Sequence, residues 1–221
     1  MTDASLHSVQ VGKVAPLGPD GVPSGFVKYG VEGPVAVTFL GLAGDEQADL
    51  TVHGGPDKAV YGYPVAHHDA WAADYPEHRG LFGGGGVGEN LTIAGWTEAD
   101  LRVGDVHAIG SARLQVCQPR QPCAKFTARF GDNRLARAMV RNGRAGWYYR
   151  VIEEGLIRRG DAVALVDRPN PGFGFDRLVR IVNFGDASTD ELLAMAEMDG
   201  LASWLQTRAA KALGDSAFPA R

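Results

Sequence analysis

LRVGDV, at residues 101–106, is repeated in altered form as IRRGDA at residues 157–162. In both stretches a Gly-Asp pair stands directly before an apolar run. Glycine supplies the positive φ that a tight turn needs, and the apolar run that follows is typical of a strand. Closing hairpins of an antiparallel barrel require turns of this kind. These two stretches therefore predict a β-barrel.

Short apolar runs separated by glycine surround these turns, and glycine accounts for 30 of the 221 residues. The runs predict strands over 12–14, 35–40, 91–93, 106–109, 112–116, 147–152 and 162–166. Two helices interrupt them, one from Pro64 to Tyr75 and one over 133–141, since proline is favoured at a first helical position. The expected fold is mainly β with α, a barrel with interspersed helices.

The period of the apolar residues changes after the proline-rich linker at 167–174. Phe175, Leu178, Val179 and Val182 recur at helical spacing. Residues 188–191 read as a capping box for a second helix that ends at 200, and a third helix is expected over 201–214. We therefore predict a barrel domain over 1–168 and a linker with a small C-terminal three-helix module over 169–221. Three short helices bury little surface alone, so they should pack on the barrel or on a partner chain, which leaves a homodimer open.

The composition is that of a globular protein, with 45% hydrophobic and 22% charged residues. The N-terminal residues lack the basic and apolar regions of a signal peptide, and no apolar run has membrane-spanning length. Cys117 and Cys123 provide no disulfide framework, so free thiols in a reducing compartment are expected. These observations favour a cytoplasmic protein that does not bind membranes.

The net charge of −4 is unevenly distributed. Residues 113–150 contain nine basic side chains and one acid, for a net charge of +8, so the rest of the chain carries −12. A local positive field in an acidic protein suits a small anionic ligand better than nucleic acid. Part of the basic set should simply face water, because Arg134, Arg137, Arg141 and Arg144 recur at helical spacing.

The strongest candidate for a functional residue is Cys123, in the stretch QPRQPCAK at 118–125. The two prolines predict a stiff, non-helical approach to the thiol. Arg120 and Lys125 bring positive charge close to it, and cations favour the thiolate that binds metals or attacks electrophiles. The alternative is a small buried residue without function, which is the common fate of a free cysteine.

Two glycine-rich segments are further candidates. FGGGGVGENL at 82–91 contains the spacing of a dinucleotide-binding motif, but a β-like ENLT follows where that motif requires a helix. We therefore reject that interpretation and expect a flexible lid or a backbone that lies close to a ligand. Residues 44–60 predict a loop that carries His53, Asp57 and Lys58, each of which could equally face water.

The six histidines show no zinc-binding spacing, and His68 shares a helical stripe with aromatic residues that is typical of a core. In the strand at 147–152, alternation places Tyr148 and Arg150 on the face opposite Trp147 and Tyr149. Arg150 would bind an anion if that face lined the barrel mouth.

Five segments together resemble the MOSC family, which is named for the C-terminal domain of molybdenum cofactor sulfurases, and within it the YiiM-like branch. They are GDxQAD at 44–49, HGGPDKAV at 53–60, GENLT at 88–92, QPRxPCxK at 118–125 and GWYxRV at 146–151. The three-helix tail also resembles that branch.

The resemblance implies a β-barrel that holds the molybdenum cofactor, a pterin with a dithiolene and a phosphate. The family's cysteine corresponds to Cys123, which would bind molybdenum or, in other branches, handle sulfur for the cofactor. The other residues that the resemblance suggests for cofactor binding are Lys58, Arg120 and Arg150 for the anionic groups, and His53 and Asn90 for the pterin.

The YiiM-like branch implies reduction of small N-hydroxylated substrates such as hydroxylaminopurine. Two cysteines cannot hold an iron–sulfur cluster alone, and no flavin or nicotinamide motif is present, so we expect a separate reductase to donate electrons. One alternative is a non-catalytic carrier of the cofactor or of sulfur as a Cys123 persulfide. Another is a cysteine hydrolase that pairs Cys123 with His53 or His68.

Overall fold

A computed structural model of the protein describes residues 3–49 and 54–215. In chain order its strands are β1 (Ala4–Val11), β2 (Ala15–Leu17), β3 (Val22–Ser24), β4 (Tyr29–Gly30), β5 (Val35–Thr38), β6 (Gly41–Leu42), β7 (Val60–Pro64), β8 (Leu91–Ala94), β9 (Val106–Ile109), β10 (Ala112–Pro119), β11 (Trp147–Glu153), β12 (Gly155–Ile157) and β13 (Ala162–Asp167).

Seven of these strands form a closed barrel in the order β13, β9, β10, β11, β7, β8 and β1, and β1 pairs with β13 to complete the ring. All pairs in the ring are antiparallel except β7 with β8. Full closure leaves no unpaired edge in the ring. The predicted barrel with interspersed helices is confirmed.

The two Gly-Asp turns have the same geometry. Asp105 accepts a hydrogen bond from the Arg102 amide at 2.8 Å, and Asp161 accepts one from the Arg158 amide at 2.8 Å. Gly104 and Gly160 both have positive φ, at 82° and 89°. The strands that follow, β9 and β13, pair with each other, so the turns start neighbouring barrel strands rather than forming hairpins of their own.

The prediction of a strand over 12–14 is wrong. β1 ends at Val11, and the next backbone donors bind carboxylates instead of a neighbouring strand: the Gly12 amide donates to Asp45 at 2.7 Å and the Val14 amide to Glu46 at 2.9 Å. The sequence interpretation also missed β1 and β7.

Six α-helices accompany the barrel in the described part of the chain. They are α1 (Val65–Asp74), α2 (Ala124–Phe130), α3 (Asn133–Asn142), α4 (Phe175–Phe184), α5 (Thr189–Glu197) and α6 (Ser203–Asp215). Short 3-10 helices cover Pro56–Lys58, Pro76–Leu81 and Glu98–Asp100. The predicted helices are found with small shifts at their ends, since Pro64 ends β7 and α1 begins at Val65; α2 was not predicted.

The C-terminal helices pack on the barrel. Phe175, Leu178 and Leu205 belong to the same hydrophobic core as barrel residues such as Leu114 and Val116. The capping box that begins α5 is present, with the Ser188 side chain and the Glu191 side chain each bonded to the other's backbone. One hydrophobic core includes residues of the barrel and of the C-terminal helices. The division into two domains at 168 stays a prediction.

Among the described residues, no helix combines the length and the hydrophobicity that crossing a bilayer requires. The cytoplasmic location and the homodimer stay predictions.

Candidate functional site

A cleft of about 1070 Å³ opens between the barrel and the C-terminal helices. The residues that line it come from 54–58, 118–123, β11 and 199–206. A narrower cavity of about 80 Å³ adjoins the cleft. Both hollows are lined by Gly54, Lys58, Arg120, Cys123 and Tyr148. Cys123 therefore lies where the two meet.

The position of Cys123 follows from the packing of α2. Phe126 and Phe130, one helical turn apart, are both buried in a cluster of aromatic side chains. Their burial makes residues 124–130 helical directly after the two prolines, and the Cys123 carbonyl accepts hydrogen bonds from the Phe126 and Thr127 amides at 3.0 and 3.3 Å. The sulfur is thus held, half-buried, at the start of a short helix.

Arg120 places a cation beside the thiol. Its side chain is only 6% exposed, and Nη2 lies 3.9 Å from the Cys123 Sγ. Nη1 donates to the Val87 carbonyl at 3.2 Å, and the guanidinium lies 4.9 Å from the centre of the Tyr61 ring. These contacts fix a permanent positive charge beside the sulfur, where it can balance a thiolate or a bound anion.

Lys28 and Asp45 form a buried ion pair in the wall of the small cavity. Burial lowers the pKa of Lys28 and the charge of Arg120 adds to this shift, while Asp45 opposes it. Asn90 completes this wall: its amide nitrogen donates to Asp45 at 2.9 Å and its oxygen accepts from the Tyr61 amide at 3.1 Å. The predicted contact between Asn90 and a pterin stays a prediction, and the hydrogen bonds show Asn90 in a supporting position.

Two tyrosines stand beside Arg120. Burial raises the pKa of Tyr61 and that of Tyr148, although the charge of Arg120 opposes both shifts. Both phenols therefore stay protonated near neutral pH. Tyr148 lines both hollows, which gives the site a neutral aromatic group next to its cations.

Arg150 lies in the cleft on the face that alternation predicted, but its side chain is already engaged. Its Nε and Nη2 lie 2.8 and 2.6 Å from Asp57 Oδ1, and Nη1 donates to Gln115 at 3.0 Å. The other oxygen of Asp57 accepts from the Ser203 amide at 3.2 Å. Arg150 is thus part of an internal ion pair that also reaches α6, so its role in binding an anion stays a prediction.

Lys58 lines both hollows and Lys125 lines the small cavity. His53 lies outside the described residues, although its neighbours Gly54 and Gly55 line the cleft. Of the nine basic residues at 113–150, only Arg120, Lys125 and Arg150 line these hollows in the described structure. Arg134, Arg137 and Arg141 are exposed on α3, as their spacing predicted, whereas Arg144 lies beyond the helix, is half-buried and pairs with Asp74 at 2.6 Å.

The glycine-rich segment at 82–91 is not a lid. Glu89 is fully buried and accepts hydrogen bonds from the Gly85 and Val87 amides at 2.8 and 3.1 Å, and His68 lies 2.7 Å from the same carboxylate. The glycines let the backbone wrap around this carboxylate, and only Gly88 of the described glycines here lines the small cavity.

The structure does not bring His68 to the thiol. His68 is buried against Glu89 and Tyr63, and it is absent from the described lining of both hollows. Glu77, His78 and Asp132 are the one group of described residues with metal-ligand geometry, but Arg134 forms ion pairs with both of its acids. His68 is thus not the partner of a cysteine nucleophile in this structure, whereas His53, the other predicted partner, lies outside the described residues.

Sequence interpretation missed three parts of the site. Lys28 gave no signal because it lies in an irregular segment far from Cys123 in the chain. Asp57 was a candidate in the loop at 44–60, but its pairing with Arg150 was not predicted. Residues 199–206 were assigned to the tail, with no indication that they would line the cleft.

Comparison with known proteins agrees with this architecture. A model of the MOSC domain matches residues 49–164, a range that contains Cys123 and every predicted cofactor-binding residue. Protein YiiM from Escherichia coli is 42% identical over 160 residues, which cover 72% of this chain and 71% of YiiM. A protein named "Reductase" from Gibberella moniliformis is 33% identical over 178 residues, which cover 80% of this chain and 32% of that protein.

The crystal structure of YiiM from Geobacillus stearothermophilus superposes with a TM-score of 0.80 at 30% identity, over 95% of this chain and 99% of that one. The closed barrel is thus that of a MOSC domain, and the chain belongs to the MOSC domain family. Within that family it is a YiiM-like protein, and the match extends through the C-terminal helices.

Proposed function

We propose that this protein is a molybdenum-cofactor-dependent reductase of small N-hydroxylated compounds, with Cys123 as the sulfur ligand of molybdenum. Its membership of the MOSC family supports a function associated with the molybdenum cofactor. The observation that carries the finer proposal is the position of the Cys123 sulfur, half-buried beside Arg120 at the junction of the two hollows.

The residues present fit such a cofactor. Thiolate is a soft ligand that suits a transition metal, and a cleft of about 1070 Å³ is large enough for a pterin and a substrate together. Lys58, Arg120 and Lys125 place positive charge around the sulfur, as a phosphate-bearing ligand requires. In this proposal Cys123 holds the metal and these cations hold the anionic groups, with Arg150 and Asn90 as supports of the walls.

When bound, the cofactor supplies the two-electron chemistry. The balanced reaction is R–NHOH + 2 e⁻ + 2 H⁺ → R–NH₂ + H₂O, in which the N–O bond breaks and the nitrogen is reduced. The chain's own residues position the reactants and hold charge: Arg120 stays cationic beside the sulfur, and Tyr148 stays a neutral phenol in the shared wall.

The electrons come from a separate reductase in this proposal. The chain has two cysteines, and Cys117 is buried with its sulfur bonded to backbone carbonyls, so the chain alone does not supply the ligands of an iron–sulfur cluster. The Gibberella relative supports the idea, because most of that protein named "Reductase" lies outside the part that resembles this chain.

Replacement of each cysteine by serine tests the proposal. Cys123→Ser should remove most of the molybdenum that copurifies with the protein and abolish reduction of hydroxylaminopurine in the presence of an electron-donating reductase. Cys117→Ser is the matched control: burial raises the pKa of the Cys117 thiol, and serine can keep its hydrogen bonds to the Asp57 and Tyr148 carbonyls.

Elemental analysis and turnover separate the possible results. Molybdenum at wild-type level in Cys123→Ser would contradict ligation through this sulfur. Molybdenum that depends on Cys123 in a protein without turnover would instead support the carrier alternative.

A further inference from the structure

The C-terminal helices supply one wall of the cleft. Their residues in it are Asp199, Gly200, Leu201, Ser203, Trp204 and Gln206. Three hydrogen bonds attach this wall to the barrel: Ser203 N to Asp57 at 3.2 Å, Ala202 N to the Cys117 carbonyl at 3.0 Å, and Trp204 Nε1 to Gln118 Oε1 at 2.7 Å. The wall is therefore held in a fixed position relative to Cys123.

The two sides of the cleft differ in chemistry. The barrel side carries Lys58, Arg120 and Arg150 around Cys123, whereas the cleft-lining residues of the described helical wall include no lysine or arginine. The aromatic surface on that wall is the indole of Trp204, and the Arg208 guanidinium lies 6.0 Å from the centre of its ring. An anionic cofactor is better placed on the barrel side, and the indole on the helical wall suits a planar partner.

Trp204 is suited to stacking because it is both accessible and fixed. Trp71 and Trp147 are fully buried and Trp96 is 5% exposed, while Trp204 is half-buried and lines the cleft. The bond from Nε1 to Gln118 fixes one edge of the ring. A ring that is already ordered loses little conformational freedom when a planar ligand stacks on it.

We propose that Trp204 is a specificity-determining residue that stacks on planar heteroaromatic N-hydroxylated substrates. The C-terminal helices then select the substrate, while the barrel holds the cofactor. This inference rests on the proposed function and adds the residue that recognises the substrate.

The test compares a planar substrate with one that cannot stack. In the enzyme loaded with cofactor and supplied with an electron-donating reductase, Trp204→Ala should lower kcat/KM for hydroxylaminopurine roughly 5- to 150-fold, which corresponds to about 1–3 kcal/mol for one stacked base. Turnover of hydroxylamine itself should fall several-fold less than turnover of hydroxylaminopurine, because loss of the hydrogen bond from Trp204 to Gln118 affects both substrates alike. Trp204→Phe, which keeps a smaller ring, should lie between the wild type and Trp204→Ala. Phe184→Ala removes an aromatic ring of the same helical module outside the cleft and should leave both substrates unaffected.

Fluorescence provides a readout independent of activity. Adenine added to the cofactor-free protein should quench tryptophan emission in the wild type and in Phe184→Ala, and should not quench it in Trp204→Phe. Equal loss of activity on both substrates, or quenching that persists in Trp204→Phe, would overturn the inference and leave the proposed function intact. Quenching by a pterin but not by adenine would also overturn it, since Trp204 would then face the cofactor. A wild-type enzyme that reduces neither substrate would instead overturn the proposed function, while the adenine experiment would still decide whether Trp204 binds a planar base.

Discussion

Replacing Asp57 by asparagine removes one negative charge from the point where the cleft-lining loop, β11 and α6 meet. Asp57 Oδ1 lies 2.8 and 2.6 Å from two nitrogens of Arg150, and Oδ2 accepts from the Ser203 amide at 3.2 Å. An asparagine has nearly the same shape but cannot balance the charge of Arg150. The variant therefore measures how much this ion pair contributes to the free energy of unfolding.

The exposure of the pair sets the expected size of the effect. The Arg150 and Asp57 side chains are 26% and 24% exposed. Exposed ion pairs contribute about 0.2–1 kcal/mol, whereas breaking a buried pair costs about 3–5 kcal/mol. Breaking a pair of intermediate burial that also binds a backbone amide should lower the free energy of unfolding by about 2 kcal/mol. For a protein of this size that corresponds to a fall in Tm of roughly 4–8 °C.

Thermal denaturation of Asp57→Asn, Arg150→Gln and the double variant provides the assay. Because both single variants break the same interaction, the double variant should cost less than the sum of the two by about 1–2 kcal/mol. Glu153→Gln is the matched control, since its contact with Arg113 spans 4.0 Å between side chains that are 67% and 42% exposed, and its Tm should move by less than about 2 °C. Additive effects within about 0.5 kcal/mol would refute the assignment of this energy to the pair.

Two further predictions concern buried polar groups. Burial lowers the pKa of His107 to about 3, and the charge of Arg168 is a smaller cause. Below pH 6.5 the unfolded chain therefore binds a proton that the folded protein does not, and the free energy of unfolding should fall by about 1.4 kcal/mol per pH unit from 6.5 towards 4. A His107→Gln variant should show a weaker dependence of stability on pH when it is unfolded with denaturant across this range. Glu89→Gln should destabilise the protein by about 2–3 kcal/mol in the same assay at neutral pH, because an amide cannot accept all the hydrogen bonds that the loop amides and His68 make to this fully buried carboxylate. An unchanged denaturation midpoint would show that the loop folds without the carboxylate.

The strands that sequence analysis found are those with local signals. The strand at 106–109 was predicted with its observed ends, since a Gly-Asp turn precedes it and a glycine follows. β7 was missed because all five of its residues are buried, so VYGYP shows no alternation and contains both a glycine and a proline. Gly62 belongs there because a Cβ would lie 2.9 Å from Trp147 Nε1, a contact with a strand far along the chain.

The segment before Cys123 shows why local propensity was an incomplete guide. The prolines correctly predicted an extended approach, but the helix after Cys123 depends on the burial of Phe126 and Phe130 among side chains from other elements. Sequence alone therefore predicted that Arg120 lies beside Cys123 and that Lys125 lies in the same site, and missed the helix that fixes the sulfur in place.

The site residues were predictable where one short motif contains them, and not where distant segments meet. Lys58, Arg120 and Cys123 each lie in such a motif, and the structure brings them to the same two hollows. Asp57 meets Arg150 across 93 positions of sequence and Ser203 across 146. A periodic pattern predicts which face of an element is buried, but it does not specify which remote element covers that face.

Asp57 and Gln118 together explain why the helical tail belongs to the site. The Asp57 carbonyl accepts from Gln118 Nε2 at 2.6 Å, so the loop that carries Lys58 is tied to β10 two residues before Arg120. The oxygen of the same Gln118 amide accepts a hydrogen bond from Trp204 Nε1, and the Asp57 side chain accepts one from the Ser203 amide. Asp57 thus contacts the barrel through its carbonyl and the tail through its carboxylate, and Gln118 contacts the loop through its amide nitrogen and the tail through its amide oxygen. If the tail were absent, a half-buried carboxylate oxygen and a buried amide oxygen would each lose a partner in the wall beside the thiol, so the tail stabilises the geometry around Cys123 as well as closing the cleft.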